Sequence, residues 1–394
     1  MNLVKSRCLD SLHLLPLLCL AGALACRAAD AGGQPSASPE VTVALQKYLD
    51  SYKIAGYIAL IADKSGNVHY RNIAGYADVE AKQTIREDNL FWIASMSKMF
   101  VGASIMMMVD EGKVSLDDPA MRFIPQLEKW MVIEEKDASH VLLKPTVRPV
   151  TIRHLLSHTS GLTGSSELQQ ATGSDSTPLK MRALSSVTGP LQSQPGEKYA
   201  YGNQGMNIAA RIVEITSGMP YEQFVQKRFF DPLGMTETSF WPSDAQIARL
   251  AGAYGPNKQT NGYARGGIGF LTKPYSDRVH RFPEAGGGLF STAHDILRYG
   301  QMLANDGELE GKRYLSHAAM EELRKEQTGT THVNYSLGYH LRNGMFGHDG
   351  AYGTDLSVNP ATGMIAIFMV QCTSGDQWAA RDLFLKTATQ VFQK

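Results

Sequence analysis

The chain of 394 residues has no excess of charge of either sign, because 38 lysines and arginines balance 38 aspartates and glutamates. Nucleic acid or an anionic membrane surface as a partner requires a basic face, so the balanced charge argues against both. Charged residues make up 19% of the chain and hydrophobic residues 43%, which is the composition of an ordinary globular protein. A small-molecule or peptide substrate is therefore the expected partner.

Long hydrophobic runs are also missing, and none reaches the roughly 20 apolar residues that a membrane-spanning helix needs. The run at residues 12–25 follows two basic residues and ends on an Ala-Leu-Ala pattern, which is typical of a secretory signal peptide. We expect residues 1–25 to be removed and residues 26–38 to be the flexible N-terminus of a periplasmic or secreted protein without a transmembrane segment. Lipidation of Cys26 is the alternative to simple cleavage.

Cysteine is scarce as well. Three of the four cysteines lie within the first 26 residues, which leaves Cys372 alone in the body of the mature chain. A disulfide there is excluded unless cleavage spares Cys26. Cys372 lies beside an apolar, strand-like run, which predicts a buried and unreactive thiol.

The two ends of the chain carry mirror-image patterns of helix and strand. The predicted strands span residues 57–63, 68–76, 356–358 and 364–371, and the predicted terminal helices span 41–52 and 377–393. Antiparallel strands from both ends predict an α+β fold, an α/β sandwich in which one sheet is flanked by helices. The mostly helical residues of about 90–250 would be inserted as a second lobe. Residues 163–177 and 254–281 have loop compositions, and either segment could border a pocket.

The first candidate for chemistry is the pair Ser95 and Lys98, at the start of a helix predicted over residues 96–111. A spacing of three puts both side chains on one helical face, whereas Ser97 points about 100° away from Lys98. A hydroxyl near a helix N-terminus also lies where backbone N–H groups favour negative charge. Ser95 is therefore a candidate nucleophile, with a capping serine beside a solvated lysine as the alternative.

The second candidate is a Tyr-x-Asn triplet, Tyr201 and Asn203, just before a helix predicted over residues 206–217. A tyrosine has a pKa near 10, so a role as base at neutral pH needs a cation that lowers it by about three units. Lys98 could supply that charge. A second triplet that begins at Tyr70 lies inside a predicted strand, so context selects Tyr201.

The third candidate is the only His-x-Gly of the chain, formed by His348 and Gly350. A glycine lets the backbone approach a substrate closely, and the following N–H, on Ala351, could donate to an oxyanion. A loop histidine beside a turn glycine is the alternative.

In this order, the three elements resemble the Ser-x-x-Lys, Tyr-x-Asn and Lys/His-x-Gly motifs of the serine β-lactamases and penicillin-binding proteins. The likeness is to the branch that holds class C β-lactamases, D-alanyl-D-alanine carboxypeptidases and related esterases, and it extends over about residues 40–390. Segments 114–119, 151–162 and 286–292 also match without carrying chemistry. The resemblance implies that residues 39–394 form one β-lactamase-related serine hydrolase domain.

The resemblance also implies a mechanism. Ser95 attacks a carbonyl, Lys98 and Tyr201 share the proton transfer, and Asn203 orients the substrate or Lys98. The N–H groups of Ser95 and Ala351 form the oxyanion hole, and water releases the acyl-enzyme. Whether Lys98 or Tyr201 is the base stays open, because coupled groups titrate as a pair. No cofactor or metal is expected.

The third motif departs from the pattern of efficient β-lactamases, which carry a lysine that attracts the substrate carboxylate. Here His348 is mostly neutral at pH 7, and Asp349 adds a negative charge beside it. Both features favour an ester, amide or peptide substrate over an anionic β-lactam. We therefore expect a secreted serine hydrolase that acts through an acyl-enzyme; the alternative is a penicillin-binding or sensor-type protein with slow or no turnover.

Three other patterns have structural interpretations. His154 and His158 stand four apart on a predicted helix, as a zinc pair would, but the glutamate of the metalloprotease motif is missing, so helix packing and capping explain them. The glycines at 286–288 lack the pattern of a phosphate-binding loop and predict a tight turn beside the site. Three methionines at 106–108 predict core packing behind the nucleophile helix.

Overall fold

The computed structural model describes residues 39–392. The predicted signal peptide and the N-terminal segment with Cys26 lie outside the described residues. None of the described helices is long and apolar enough to cross a membrane.

The strands and helices have the following bounds. The strands are β1 Gly56–Ala62, β2 Val68–Asp78, β3 Gln83–Thr84, β4 Phe91–Trp92, β5 Met131–Lys136, β6 Val141–Pro145, β7 Ala253–Asn257, β8 Gly262–Gly266, β9 Phe290–Ser291, β10 Glu308–Leu309, β11 Lys312–Arg313, β12 His340–Arg342, β13 Met345–Asp349, β14 Asp355–Asn359 and β15 Met364–Val370. The α-helices are α1 Pro39–Asp50, α2 Ser97–Asp110, α3 Ile152–Leu156, α4 Glu167–Thr172, α5 Leu179–Ser185, α6 Gln204–Ser217, α7 Tyr221–Val225, α8 Asp231–Leu233, α9 Asp244–Ile247, α10 Ala293–Ala304, α11 His317–Arg324 and α12 Asp376–Phe392.

The main sheet is antiparallel and has seven strands in the order β12-β13-β14-β15-β1-β2-β3. Its central pairing joins β1 to β15, with Tyr57 opposite Val370 and Ala62 opposite Ile365. The first and last strands of the described chain therefore meet in the middle of the sheet.

Both central strands are buried along their whole length, which explains their continuous apolar sequences. Successive residues of β1 point to opposite faces of the sheet. Ile58 and Leu60 belong to the larger core, with α2 and α10, whereas Tyr57 and Ala59 pack with α1 and α12. The sheet is thus the middle layer between two groups of helices.

Helix α2 runs through the centre of the helical lobe. Every residue from Ser97 to Met108 is buried, and the helix contacts α6 and α11. The core role predicted for the methionines at 106–108 is confirmed, and Cys372 is buried as predicted. A helix held on all sides gives a rigid support to the residues at its start.

The structure confirms the predicted α+β sandwich, and the terminal elements begin and end within two residues of the predicted bounds. Both loop predictions need correction. Residues 163–177 contain α4, which starts with a capping box between Ser166 and Gln169. Residues 254–281 contain the β7–β8 hairpin, whose turn uses Asn261 with a φ of 50°.

Candidate active site

Ser95, the candidate nucleophile, lies where β4 leads into α2. Residues Ala94–Met96 form one 3₁₀ turn that continues directly into the helix. Ala94 has a φ of 46°, in the left-handed region that non-glycine residues seldom adopt, so the chain bends sharply just before Ser95. Ser95 is partly exposed as a result, while both of its neighbours are buried.

Lys98, one helical turn further along, is fully buried and makes three polar contacts. Its Nζ lies 3.0 Å from Ser95 Oγ, 2.6 Å from Asn203 Oδ1 and 2.7 Å from Gly286 O. Two of these partners are carbonyl oxygens, which only accept hydrogen bonds. A neutral Lys98 amine satisfies both carbonyls with its two N–H groups, and its lone pair then faces the Ser95 hydroxyl.

The surroundings of Lys98 favour this neutral form of the amine. Burial lowers the pKa of Lys98 to about 7, because the charged ammonium loses its hydration. The carboxylates of Glu284 and Asp349 oppose this shift without cancelling it. Lys98 therefore gains and loses its proton near neutral pH.

Tyr201 approaches Lys98 through its ring, whose centroid lies 4.7 Å from Lys98 Nζ. The residue is 43% exposed, yet burial of the phenol group raises its pKa, and a hydrogen bond with Ser95 opposes the shift. The lowering of the Tyr201 pKa that was expected from Lys98 is not found, because desolvation dominates. Tyr201 keeps its proton at neutral pH.

The glycine turn at residues 286–288 closes another side of the Lys98 site. Gly286 O accepts a hydrogen bond from Lys98, and a Cβ at Gly286 would come within 2.8 Å of Asn203 Oδ1. Asn203 thus fits against bare backbone, which only glycine provides. The turn lies beside the site, as the sequence predicted.

A buried ion pair supports this turn. Arg182 Nη1 lies 3.0 Å from Glu284 Oε2, and neither side chain has exposed surface. Asn207 Nδ2 and the Gly286 N–H both donate to Glu284 Oε1, at 2.7 and 3.3 Å. The sequence reasoning missed this network, because its members come from separate segments and share no local pattern.

Strand β13 brings Gly350 and Ala351 next to the Ser95 turn. A Cβ on Gly350 would lie 2.5 Å from Ile93 O and 2.2 Å from Thr354 Oγ1, so only glycine fits there. Within residues 39–392, the N–H groups of Ser95 and Ala351 make no hydrogen bond to another backbone group. Two N–H groups without a backbone acceptor at this junction are suited to binding an oxyanion.

His348 is buried, and its ring belongs to a chain of hydrogen bonds. Its Nδ1 lies 2.6 Å from Asp349 O, and the Tyr335 hydroxyl lies 3.1 Å from both His348 Nε2 and His158 Nε2. Burial lowers the pKa of both histidines well below the usual value, so each is neutral. Since a carbonyl only accepts, His348 donates from Nδ1 and accepts from Tyr335, which in turn accepts from His158.

His158 belongs to this site, although the sequence reasoning assigned it to helix packing. Helix α3 ends two residues earlier, and His158 has a φ of 59°. Its ring centroid lies 4.6 Å from that of Tyr201, and its carbonyl accepts from the Ala200 N–H at 2.8 Å. His154, by contrast, accepts from the Thr151 N–H and caps α3, as predicted.

Asp349 is paired with two cations. Its carboxylate forms ion pairs with Arg342, at 2.6 Å, and with Arg381. Burial works against ionisation, but the two arginines hold the pKa of Asp349 below its usual value. The two arginines compensate part of this charge, which still raises the pKa of Lys98, and the expectation that Asp349 disfavours an anionic substrate stays a prediction.

His340, His348 and Asp349 place one ligand atom each within 4.8 Å of the others. Both ring nitrogens of His348 already have hydrogen-bond partners. The arginines paired with Asp349 oppose a second cation. This cluster therefore does not fit a metal ion.

Comparisons with known proteins agree with the fold. The Beta-lactamase family model matches residues 42–389. The lovastatin esterase of Penicillium rubens is 29% identical over 72% of this chain and 72% of its own length, and esterase EstB of Burkholderia gladioli is 29% identical over 70% and 71%.

Among solved structures, EstCE1, described as a hydrolase with promiscuous acyltransferase activity, superposes with a TM-score of 0.74. The two chains are 23% identical, and the match covers 89% of this chain and 97% of EstCE1. This structural match supports the fold alone. Together with the family model, which covers most of the sequence, it confirms the resemblance: the chain belongs to the beta-lactamase family, in a group of β-lactamase-fold serine hydrolases that includes esterases.

Proposed function

We propose that the protein hydrolyses carboxylic esters through an acyl-enzyme on Ser95. The observation that carries the proposal is the setting of Lys98: two carbonyl oxygens accept from its Nζ, which lies 3.0 Å from Ser95 Oγ, so the lone pair of the neutral amine faces the hydroxyl. A pKa of about 7 makes the neutral form available at physiological pH. A serine beside a base of this kind is an activated nucleophile.

In the acylation step, Lys98 Nζ takes the Ser95 hydroxyl proton while Oγ forms a bond to the ester carbonyl carbon. The carbonyl oxygen becomes an oxyanion, which the N–H groups of Ser95 and Ala351 stabilise. The bond to the alcohol oxygen then breaks, and this oxygen receives the proton from Lys98 through the Tyr201 hydroxyl. The products are the free alcohol and an acyl group on Ser95.

In the deacylation step, water replaces the alcohol. Lys98 and Tyr201 remove a proton from the attacking water, its oxygen bonds to the acyl carbon, and Ser95 Oγ leaves and regains a proton. A carboxylic acid is released, and the enzyme returns to its starting state. Lys98 acts as the base because its pKa lies near neutrality, whereas the raised pKa of Tyr201 suits a group that passes on a proton.

An ester is favoured over a β-lactam for two reasons. The histidine at position 348 is buried and hydrogen-bonded to Tyr335, so it offers no cation to a substrate carboxylate. Two relatives that span about 70% of the chain carry the name esterase. We assign Asn203 to positioning Lys98, which it contacts at 2.6 Å.

The test combines covalent labelling with turnover. A fluorophosphonate should label the wild-type protein at Ser95 and should leave folded Ser95→Ala unlabelled, as read by peptide mass spectrometry. Turnover of p-nitrophenyl esters should exceed that of nitrocefin and D-Ala-D-Ala peptides. Folded wild-type protein without an adduct would refute the nucleophile, and a stable acyl adduct without turnover would instead indicate a penicillin-binding or sensor-type protein.

We also propose that the protein is exported and that cleavage follows residue 25. The support is the apolar run at residues 12–25 with basic residues before it. N-terminal sequencing of protein from the periplasm or medium should start at Cys26. A mass increase that Cys26→Ser abolishes would identify a lipid anchor, and an intact Met1 would refute cleavage.

A further inference from the structure

Three aromatic side chains, Trp92, Phe270 and Tyr352, form a group that takes no part in the reaction steps. Trp92 lies between the other two. Its ring stacks on Phe270 with centroids 5.9 Å apart and meets Tyr352 edge-on at 5.1 Å. We call these three side chains the aromatic frame.

The aromatic frame adjoins the catalytic elements at two places. Trp92 lies three residues before Ser95, and its Nε1 donates to Gly287 O at 2.7 Å. A Cβ at Gly287 would lie 3.3 Å from the Phe270 ring and 3.7 Å from Asn203 Nδ2, so Phe270 borders the same space as Asn203. Tyr352 directly follows Ala351, the proposed oxyanion donor.

One ring of the aromatic frame is buried, and the other two are partly exposed. Trp92 is 3% exposed and belongs to an apolar cluster with Leu271 and Phe290, whereas Phe270 and Tyr352 are half-buried. Half-buried aromatic rings around a fully buried one form a surface suited to an apolar group.

Two polar contacts fix the loop that carries Phe270. The Tyr352 hydroxyl donates to Gly267 O at 2.8 Å. On the other side of Phe270, the Thr272 hydroxyl donates to Asp175 Oδ1 at 2.7 Å. Because the loop is held on both sides of Phe270, the surface is formed before a substrate arrives, which reduces the entropy lost on binding.

The position of Tyr201 decides which part of an ester meets this surface. The leaving alcohol must reach the Tyr201 hydroxyl to receive its proton. The rings that contact Tyr201 are His158, Tyr335, His340 and His348, and none belongs to the aromatic frame. The acyl group of the ester, which points away from the leaving alcohol, is therefore the part next to the aromatic frame.

We propose that the aromatic frame is an acyl-binding subsite that selects esters of apolar carboxylic acids. This inference rests on the proposed ester hydrolysis at Ser95. Phe270 and Tyr352 set the preference, since they are the two rings of the aromatic frame that remain partly open.

The test uses two ester series with the purified protein. In the first, p-nitrophenyl acetate, butyrate and octanoate vary only the acyl chain; in the second, ethyl, butyl and octyl acetate vary only the alcohol. Wild-type kcat/KM should rise along the acyl series. Phe270→Ala should reduce the octanoate-to-acetate ratio by about tenfold, which is typical of a lost apolar contact, and should leave the octyl-to-ethyl ratio of the alcohol series unchanged.

Three further variants control the result. Phe270→Leu keeps an apolar side chain and should retain most of the preference. Tyr352→Phe keeps the ring but removes the hydroxyl that donates to Gly267 O, so it tests the ring apart from this hydrogen bond. Tyr52→Ala removes an exposed aromatic residue that packs on Tyr263, outside the aromatic frame, and should match the wild type.

The outcomes separate this inference from the function on which it rests. Failure of the wild type to turn over any ester would refute the proposed function. Ester turnover with the same octanoate-to-acetate ratio in Phe270→Ala and the wild type would refute the acyl subsite alone. A change confined to the alcohol series would also refute it.

Discussion

The buried carboxylate of Glu284 allows a direct test of Lys98 as a neutral base. Its charge raises the pKa of Lys98 against the larger, opposite effect of burial. Glu284→Gln removes the charge but keeps an amide oxygen that can accept from Asn207 Nδ2. We expect the pKa of Lys98 to fall further, since its ammonium loses an attractive anion.

The size of the effect follows from the geometry around Gly286. Its carbonyl contacts Lys98 Nζ at 2.7 Å, and its N–H contacts Glu284 Oε1 at 3.3 Å. At a charge separation of roughly 7 Å and an effective dielectric constant of about 20, the attraction is about 2 kcal/mol. Arg182 keeps its charge in the variant, so the whole attraction is lost, and we expect a shift of about 1.5 pH units.

The assay is the pH dependence of kcat/KM for a p-nitrophenyl ester. In the proposed mechanism the active form has a neutral Lys98, so wild-type activity should rise with pH through about 7. In Glu284→Gln the same rise should occur at lower pH. Breaking a buried ion pair costs about 3–5 kcal/mol of stability, so the assay must run well below the unfolding temperature of the variant.

Asp175→Asn is the matched control. Asp175 and Arg281 form a second buried ion pair, at 3.5 Å, and Asp175 is not among the charges that shift the pKa of Lys98. This variant should lose comparable stability while its pH profile keeps the wild-type midpoint. An unshifted rise in Glu284→Gln, or an equal shift in Asp175→Asn, would refute the reasoning.

Three other substitutions probe the remaining elements. Tyr201→Phe removes the proton relay, so kcat for an alkyl ester should fall by about 10²–10⁴, and more than for a p-nitrophenyl ester, whose leaving group needs no proton; equal losses would contradict the relay. Tyr335→Phe removes the hydroxyl that pairs with Nε2 of both His158 and His348 and should lower the free energy of urea unfolding by about 1–3 kcal/mol, whereas no change would contradict the hydrogen-bond chain. Gly350→Ala would push against Ile93 O and should slow fluorophosphonate labelling about 10²–10³-fold by displacing the N–H of Ala351; wild-type labelling would contradict the close approach.

The sequence predicted those features that depend on local patterns. Alternating and continuous apolar runs located the strands of the sheet, and the spacing of Ser95 and Lys98 placed both on one helical face. The turn at 286–288 was also predicted from its run of three glycines, and the structure adds that Gly286 lies close to Asn203.

The features that were not predicted depend on contacts between distant segments. Arg182 and Glu284 lie about a hundred residues apart, and only the folded chain removes both from water. His158 had helical spacing from His154, but the left-handed turn that places it beside Tyr201 leaves no periodic signal. The charge of Asp349 was visible in the sequence, whereas its two arginine partners were not.

The central pairing of β1 with β15 has a consequence for the order in which the protein becomes active. A ribosome releases Ser95 and Lys98 early, but Ala351, which follows β13, and strand β15, which completes the sheet centre, emerge only after more than 250 further residues. Closing contacts between such distant segments is slow. The nascent chain therefore carries the proposed nucleophile without its proposed oxyanion donor, and we expect the proposed hydrolysis to begin only after these later segments have been synthesised.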